Sequence, residues 1–136
     1  MEITVDFPGG ARVDAHFGSY TVSTDQPSSL GGGGSAPTPF ELFLASLATC
    51  AGFYVQGFCK KRGISPEGIR LIQKTEHDPE TKMATVVSLD IQLPAGFPEQ
   101  YVSAVIRAAE TCLVKKHLEK PPVFEITTSI GSRLTT

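Results

Sequence analysis

Apolar and polar residues alternate from the start of the chain. Ile3, Val5 and Phe7 fall on one face and Glu2, Thr4 and Asp6 on the other, the period of a half-buried strand. Pro8-Gly9-Gly10 reads as a turn. Arg12 to Phe17 and Tyr20 to Thr24 read as two further short strands divided by Gly18-Ser19. The pattern then lapses from Asp25 to Thr38, a stretch rich in Ser, Pro and Gly that reads as a mobile surface loop. It contains the run Gly31 to Gly34 but lacks the Gly-Lys-Ser/Thr ending of a phosphate-cradling loop.

A long helix is predicted next. Thr38 suits an N-cap, Pro39 the first helical position, and Glu41 completes a Thr-x-x-Glu capping box. The helix should run to about Lys61 and stop at Gly63. Its end carries Lys60, Lys61 and Arg62, which suit the negative pole of a helix. Gly68 to Glu76 and Ala84 to Leu93 predict a hairpin around His77-Asp78-Pro79-Glu80. Pro98 opens a second helix, with Tyr101, Val105, Ala108 and Cys112 on one stripe; the stripe weakens after Cys112, where a break or a new short helix begins. Pro121-Pro122 ends the helical stretch, and Phe124, Ile126, Thr128 and Ile130 predict a last strand. Strands, long helix, hairpin, helix, strand make an α+β fold, expected as one domain over residues 1–136.

Composition adjusts this picture in three places. Charged residues make up 19% of the chain, few for a free surface, and fit one partly covered by another subunit. The net charge of −2 argues against nucleic acid as a partner. Leu42 to Cys59 has no charged residue over a length approaching a membrane span, but Ser46, Thr49, Gln56 and two glycines dilute it. The centre of a compact dimer also requires a helix apolar all round, and no membrane insertion is expected. The first residues have neither a basic start nor an apolar run, so no signal peptide is expected. Three cysteines without a Cys-x-x-Cys pattern fit a reducing, cytoplasmic compartment.

Those cysteines are the candidate chemistry. For each, packing in the core is the plain alternative. Cys50 and Cys59 are nine residues apart, about 13.5 Å along one helix axis, too far for a disulfide, whose Cα atoms lie within roughly 7 Å. Within one subunit only Cys112 is left as a partner for either. Cys50 has small neighbours, Ala48, Thr49, Ala51 and Gly52, that leave room for a helix or a small substrate. Cys59 sits where the helix end disfavours a thiolate, partly offset by Lys60 and Arg62, while Lys115 and Lys116 favour one at Cys112. His16, His77 and His117 add no metal-ligand spacing, so neither a metal nor another cofactor is expected.

The run Ala36-Pro-Thr-Pro-Phe-Glu-Leu-Phe-Leu-Ala-Ser-Leu-Ala-Thr-Cys50 resembles the first-cysteine motif of the osmotically inducible protein C (OsmC) and organic hydroperoxide resistance family. Ala109-Glu-Thr-Cys112-Leu-Val resembles its second. The resemblance implies an intertwined homodimer, with antiparallel sheets around two central helices and two sites at the subunit interface. It also implies a thiol peroxidase acting on organic hydroperoxides: Cys50 attacks, Cys112 resolves the sulfenic acid as a disulfide, and an external dithiol, such as a lipoyl protein, reduces it. Such members carry a glutamate and an arginine that activate the thiolate. Here Glu41 and Arg12 are the candidates. Glu41 faces away from Cys50 on its own helix, about 13.5 Å along it, so it would act from the other subunit. Three positions depart from the family pattern: Phe40 stands where many members have an acidic or amide residue, the Asp25 to Thr38 loop has no arginine, and Leu113 replaces a proline. A non-catalytic dimer that binds a small molecule or senses redox state is the alternative on the same scaffold.

Overall fold

The computed structural model describes residues 1–131. Its first three strands, β1 (Thr4–Gly9), β2 (Arg12–Phe17) and β3 (Tyr20–Thr24), form an antiparallel sheet in that order. Val5 lies opposite Ala15, and His16 opposite Thr21. His16 laces the three strands together, its Nε2 lying 3.0 Å from Asp6 Oδ2 and its Nδ1 3.0 Å from Thr21 Oγ1. The alternation in β1 predicts a half-buried strand, yet every residue of β1 is exposed, Phe7 at 80%. The sheet makes no substantial contact with the helices or with the second sheet, so its apolar face has no cover within the chain.

The Ser/Pro/Gly segment is not the open loop its composition predicts. Asp25, buried, accepts hydrogen bonds from Ser35 Oγ at 2.6 Å, Ser35 N at 3.0 Å and Gln26 N at 2.7 Å. Led by the Ser35 hydroxyl, these donors hold its carboxyl down to about 2. A depressed carboxyl contributes stability above its unfolded value and loses it as pH falls through about 2, so loop closure persists across the neutral range. A Cβ on Gly32 would overlap the Gln26 carbonyl, whereas one on Gly33 meets only Asp25 Oδ2 at 3.6 Å. Gly32→Ala is therefore expected to destabilise the protein by about 1–3 kcal/mol through overpacking. The drop in urea midpoint and faster proteolysis between Pro27 and Pro37 would report it, with Gly33→Ala as the neutral comparison.

Helix α1 (Pro39–Lys61) starts as its sequence predicts. Thr38 Oγ1 accepts from Glu41 N at 3.2 Å, and Glu41 Oε1 accepts from Thr38 N at 2.9 Å, closing both halves of the capping box. It ends at Arg62, followed by Gly63 at φ +66°, the left-handed geometry that suits glycine. β4 (Arg70–His77) and β5 (Ala84–Gln92) pair antiparallel as the expected hairpin, Leu71 opposite Ile91. One face of α1 packs here. Ala51, Val55, Phe58 and Cys59 join Val105 and Ala109 in the core, with Leu71, Leu89 and Ile91 of the sheet against them. Gln73 Nε2 donates to Leu44 O at 2.9 Å and ties β4 to α1. The other face of α1 is open: Phe53 is 66% exposed.

Two elements near the C-terminal end differ from expectation. The predicted second helix is divided into α2 (Val102–Ala109), entered by a short 3-10 turn, and α3 (Leu113–Glu119). The stripe of Tyr101, Val105 and Ala108 does not continue as helix to Cys112. Thr111 Oγ1 donates to Ala108 O at 2.6 Å, and Cys112 is extended, at φ −48° and ψ 122°. The segment from Phe124 to Ile130 forms no strand. A strand needs a neighbour to bond, and among the described residues none lies beside it; Ile126 and Ile130 are each 93% exposed.

Candidate active site

The break before α3 is what builds the site. Because Cys112 is the N-cap of α3 rather than a residue inside a helix, its sulfur turns back and accepts from Lys115 N at 3.4 Å. It also lies 4.0 Å from Leu47 O, three residues ahead of Cys50 on α1. The start of α3 is thereby seated on the middle of α1, and the Cys50 and Cys112 thiols are in hydrogen-bond contact. Both are reduced here.

The surroundings push the two thiols in opposite directions. Val114 N–H donates to the Cys50 sulfur and has the largest effect on it. Desolvation opposes, while the Cys112 thiol and Leu113 N–H add to the lowering, and the balance holds Cys50 below the ordinary thiol value. Burial pushes Cys112 up, and the Cys50 sulfur pushes it further, against the Lys115 N–H. Cys50 is thus the thiolate and Cys112 the proton-bearing partner. The expectation that Lys115 and Lys116 favour a Cys112 thiolate is corrected: desolvation of a sulfur only 3% exposed outweighs them.

Cys59 is a core residue. It is fully buried beside Val105, and desolvation raises its thiol, with the charge of Arg62 opposing. That guanidinium stacks 3.6 Å over the Phe58 ring and donates to Phe58 O at 3.2 Å.

Glu41 and Arg12 lie elsewhere in the chain. Glu41 is held by the capping box, whose Thr38 N–H lowers its carboxyl. Arg12 is on β2, 3.4 Å from Asp14 Oδ2, and the other oxygen of Asp14 has no partner. Neither Glu41 nor Arg12 is among the groups that act on the Cys50 thiol within the chain. Among the described residues no three His, Cys, Asp or Glu side chains converge as metal ligands.

Sequence reasoning misses the groups that matter most to Cys50, because they are backbone N–H groups and carry no letter. The available signal is the three-residue spacing from Cys112 to Lys115, the reach of an N-cap side chain. Leu113 bears directly on this. Proline at the first helical position would supply no N–H; leucine supplies one. Leu113→Pro is compatible with the extended Cys112 and is expected to keep the fold. It should move the Cys50 thiol upward, because a donor to the thiolate is lost. The pH profile of iodoacetamide alkylation of Cys50 should shift to higher pH, and an unmoved profile would show that this N–H is idle.

A pocket of about 540 Å³ opens on the Cys112 side, between α1, the β4–β5 sheet, α2 and α3. Its walls are mostly apolar, and it reaches the Cys112 sulfur.

An α+β chain with two antiparallel sheets, and a cysteine pair between a long apolar helix and the start of a short one, is a dithiol scaffold. The OsmC-like protein model matches residues 32–127, a span that contains both cysteines, and the chain belongs to that family. Solved structures share the fold at low identity. A Psychrobacter arcticus 273-4 protein named for osmotic stress induction and detoxification response has TM-score 0.72 and 23% identity, covering 84% of this chain and 85% of its own. The organic hydroperoxide resistance protein OsmC of Legionella pneumophila has TM-score 0.52 and 22% identity, over 87% of this chain and 89% of its own. The organic hydroperoxide resistance protein OhrB of Bacillus subtilis has TM-score 0.54 and 19% identity, over 86% and 90%. No curated protein matches the chain in sequence.

Proposed function

We propose that the protein is a cysteine-dependent peroxidase that reduces organic hydroperoxides. The observation that carries this reading is the Cys50 sulfur, favoured as thiolate by Val114 N–H while in contact with a second, proton-bearing thiol. The Cys50 thiolate attacks the terminal oxygen of the hydroperoxide. The O–O bond breaks, and the alkoxide leaves and takes up a proton as the alcohol. Cys50 is now a sulfenic acid. The Cys112 sulfur attacks it, hydroxide leaves as water with the Cys112 proton, and a Cys50–Cys112 disulfide forms. An external dithiol restores both thiols.

The site is completed by a second copy of the chain. Support comes from apolar surface that nothing in one chain covers: Phe7 on β1, Phe53 on α1, and the segment from Phe124 to Ile130. In that homodimer Glu41 and Arg12, remote from Cys50 in their own chain, serve the partner's thiolate.

The test is anaerobic reduction, addition of one equivalent of cumene hydroperoxide, and mass mapping. A Cys50–Cys112 bond is the expected product. Full retention of all three thiols would sink the reading. The pocket also supports a non-catalytic reading, a dimer that holds a small molecule. Ligand seen in native mass spectra without hydroperoxide turnover would select it.

A further inference from the structure

The two sulfurs face different surroundings. Cys50 is turned toward the Val114 and Leu113 N–H groups and is not part of the pocket wall, whereas Cys112 is. The remaining wall is supplied chiefly by Leu47 and Ala51 of α1, Val87 and Leu89 of β5, Ile106 of α2 and Leu118 of α3. Building on the peroxidase reading, we propose that this pocket admits a small aliphatic dithiol, which reduces the Cys50–Cys112 disulfide by attacking the Cys112 sulfur.

Three arguments converge. A reductant in the pocket meets Cys112 and not Cys50. Cys112 is only 3% exposed, out of reach of a cysteine fixed on another protein's surface, while about 540 Å³ of mostly apolar space suits a slender methylene chain. Leaving-group chemistry favours the same direction. Attack on Cys112 expels Cys50, the sulfur whose thiolate is held by Val114 N–H; attack on Cys50 would expel Cys112, whose charge burial disfavours.

The step balances. One thiolate of the dithiol bonds to Cys112 Sγ as the Cys50–Cys112 bond breaks, and the electron pair leaves on Cys50 Sγ. The second thiol then loses its proton and attacks the dithiol's own first sulfur, forming a cyclic disulfide. Cys112 Sγ is expelled as a thiolate and takes up that proton. Two electrons pass from the dithiol to the cysteine pair.

The test makes the disulfide with diamide, so that it does not depend on peroxide chemistry. The oxidised full chain is pulsed with 6-mercaptohexanoic acid, a monothiol that cannot cyclise, then quenched in acid, labelled with N-ethylmaleimide and mass-mapped. Mercaptohexanoate on Cys112 with maleimide on Cys50 is expected. The reverse pattern, or an even division, overturns the proposal. Leu118→Trp, at a half-exposed pocket position, should slow reduction by 1,4-butanedithiol about tenfold, the scale of a blocked methylene contact. An unchanged rate in a folded variant also overturns it. A disulfide that forms with diamide but not with hydroperoxide removes the peroxidase reading alone; failure to form with either removes both.

Discussion

Cys50→Ser is expected to lower hydroperoxide consumption by about 10³-fold or more, down to the background of the reductant alone. The substitution leaves the Val114 and Leu113 N–H groups in place, but the serine hydroxyl is not ionised near neutral pH, so these donors have no anion to hold. No sulfenic acid forms, and Cys112 stays a free thiol. Cys112→Ser should behave differently. One equivalent of hydroperoxide is still consumed in a burst, after which Cys50, with no resolving thiol, advances to the sulfinic acid under excess oxidant. Cys59→Ala is the comparison that separates chemistry from packing, since Cys59 is fully buried and has no part in the thiol contact. It should lower the melting temperature and leave the reaction per folded molecule intact. Hydroperoxide loss in a ferrous-ion assay and intact mass read all three. Equal activity in Cys50→Ser and the parent chain would end the assignment.

Replacing both Phe124 and Ile126 with aspartate is expected to convert the dimer to monomer and to destabilise the fold by about 3 kcal/mol or more, the scale of burying unpaired charge in an apolar seat. The two possible surroundings give very different numbers. In a single chain these side chains are 81% and 93% exposed, and substitutions at such positions change stability by only about 0.5 kcal/mol either way. Only cover from a second copy makes them costly. Light scattering at micromolar concentration and urea unfolding at two protein concentrations test it. A parent chain that is already monomeric, or a double variant as stable as the parent, would contradict the assembly and with it the route by which Glu41 and Arg12 reach Cys50.

Those two predictions also mark where the sequence is easy to read and where it is not. The start of α1 is written in letters: Thr38, Pro39 and Glu41 specify a cap, and both bonds of that cap are present. The first three strands and the β4–β5 hairpin follow from alternation, because a strand's period is a property of its own residues. The final strand shows the limit of that rule. Phe124, Ile126, Thr128 and Ile130 alternate well, but pairing requires an edge that this chain does not place beside them. Cys112 is harder again. Its spacing from Val105 and Ala108 is helical, yet Thr111 takes the Ala108 carbonyl and the helix ends before it. That competition between a hydroxyl and the backbone is local, and hydrophobic periodicity does not register it. The Asp25 loop was hidden for a similar reason, since a carboxylate that gathers several donors looks like any other loop aspartate in sequence.

The Cys112 sulfur has two duties, and oxidation sets them against each other. In the reduced chain it accepts the Lys115 N–H and so secures the first turn of α3. A bond to Cys50 redirects that sulfur toward α1 and leaves the turn without its acceptor. The redox state should therefore be legible in a seven-residue helix. Amide hydrogen exchange at Lys115 and Lys116 should quicken when the disulfide forms and slow again on reduction, while exchange along α1 hardly changes. A single atom that serves both as helix cap and as electron carrier makes local fraying a timer for the oxidised form.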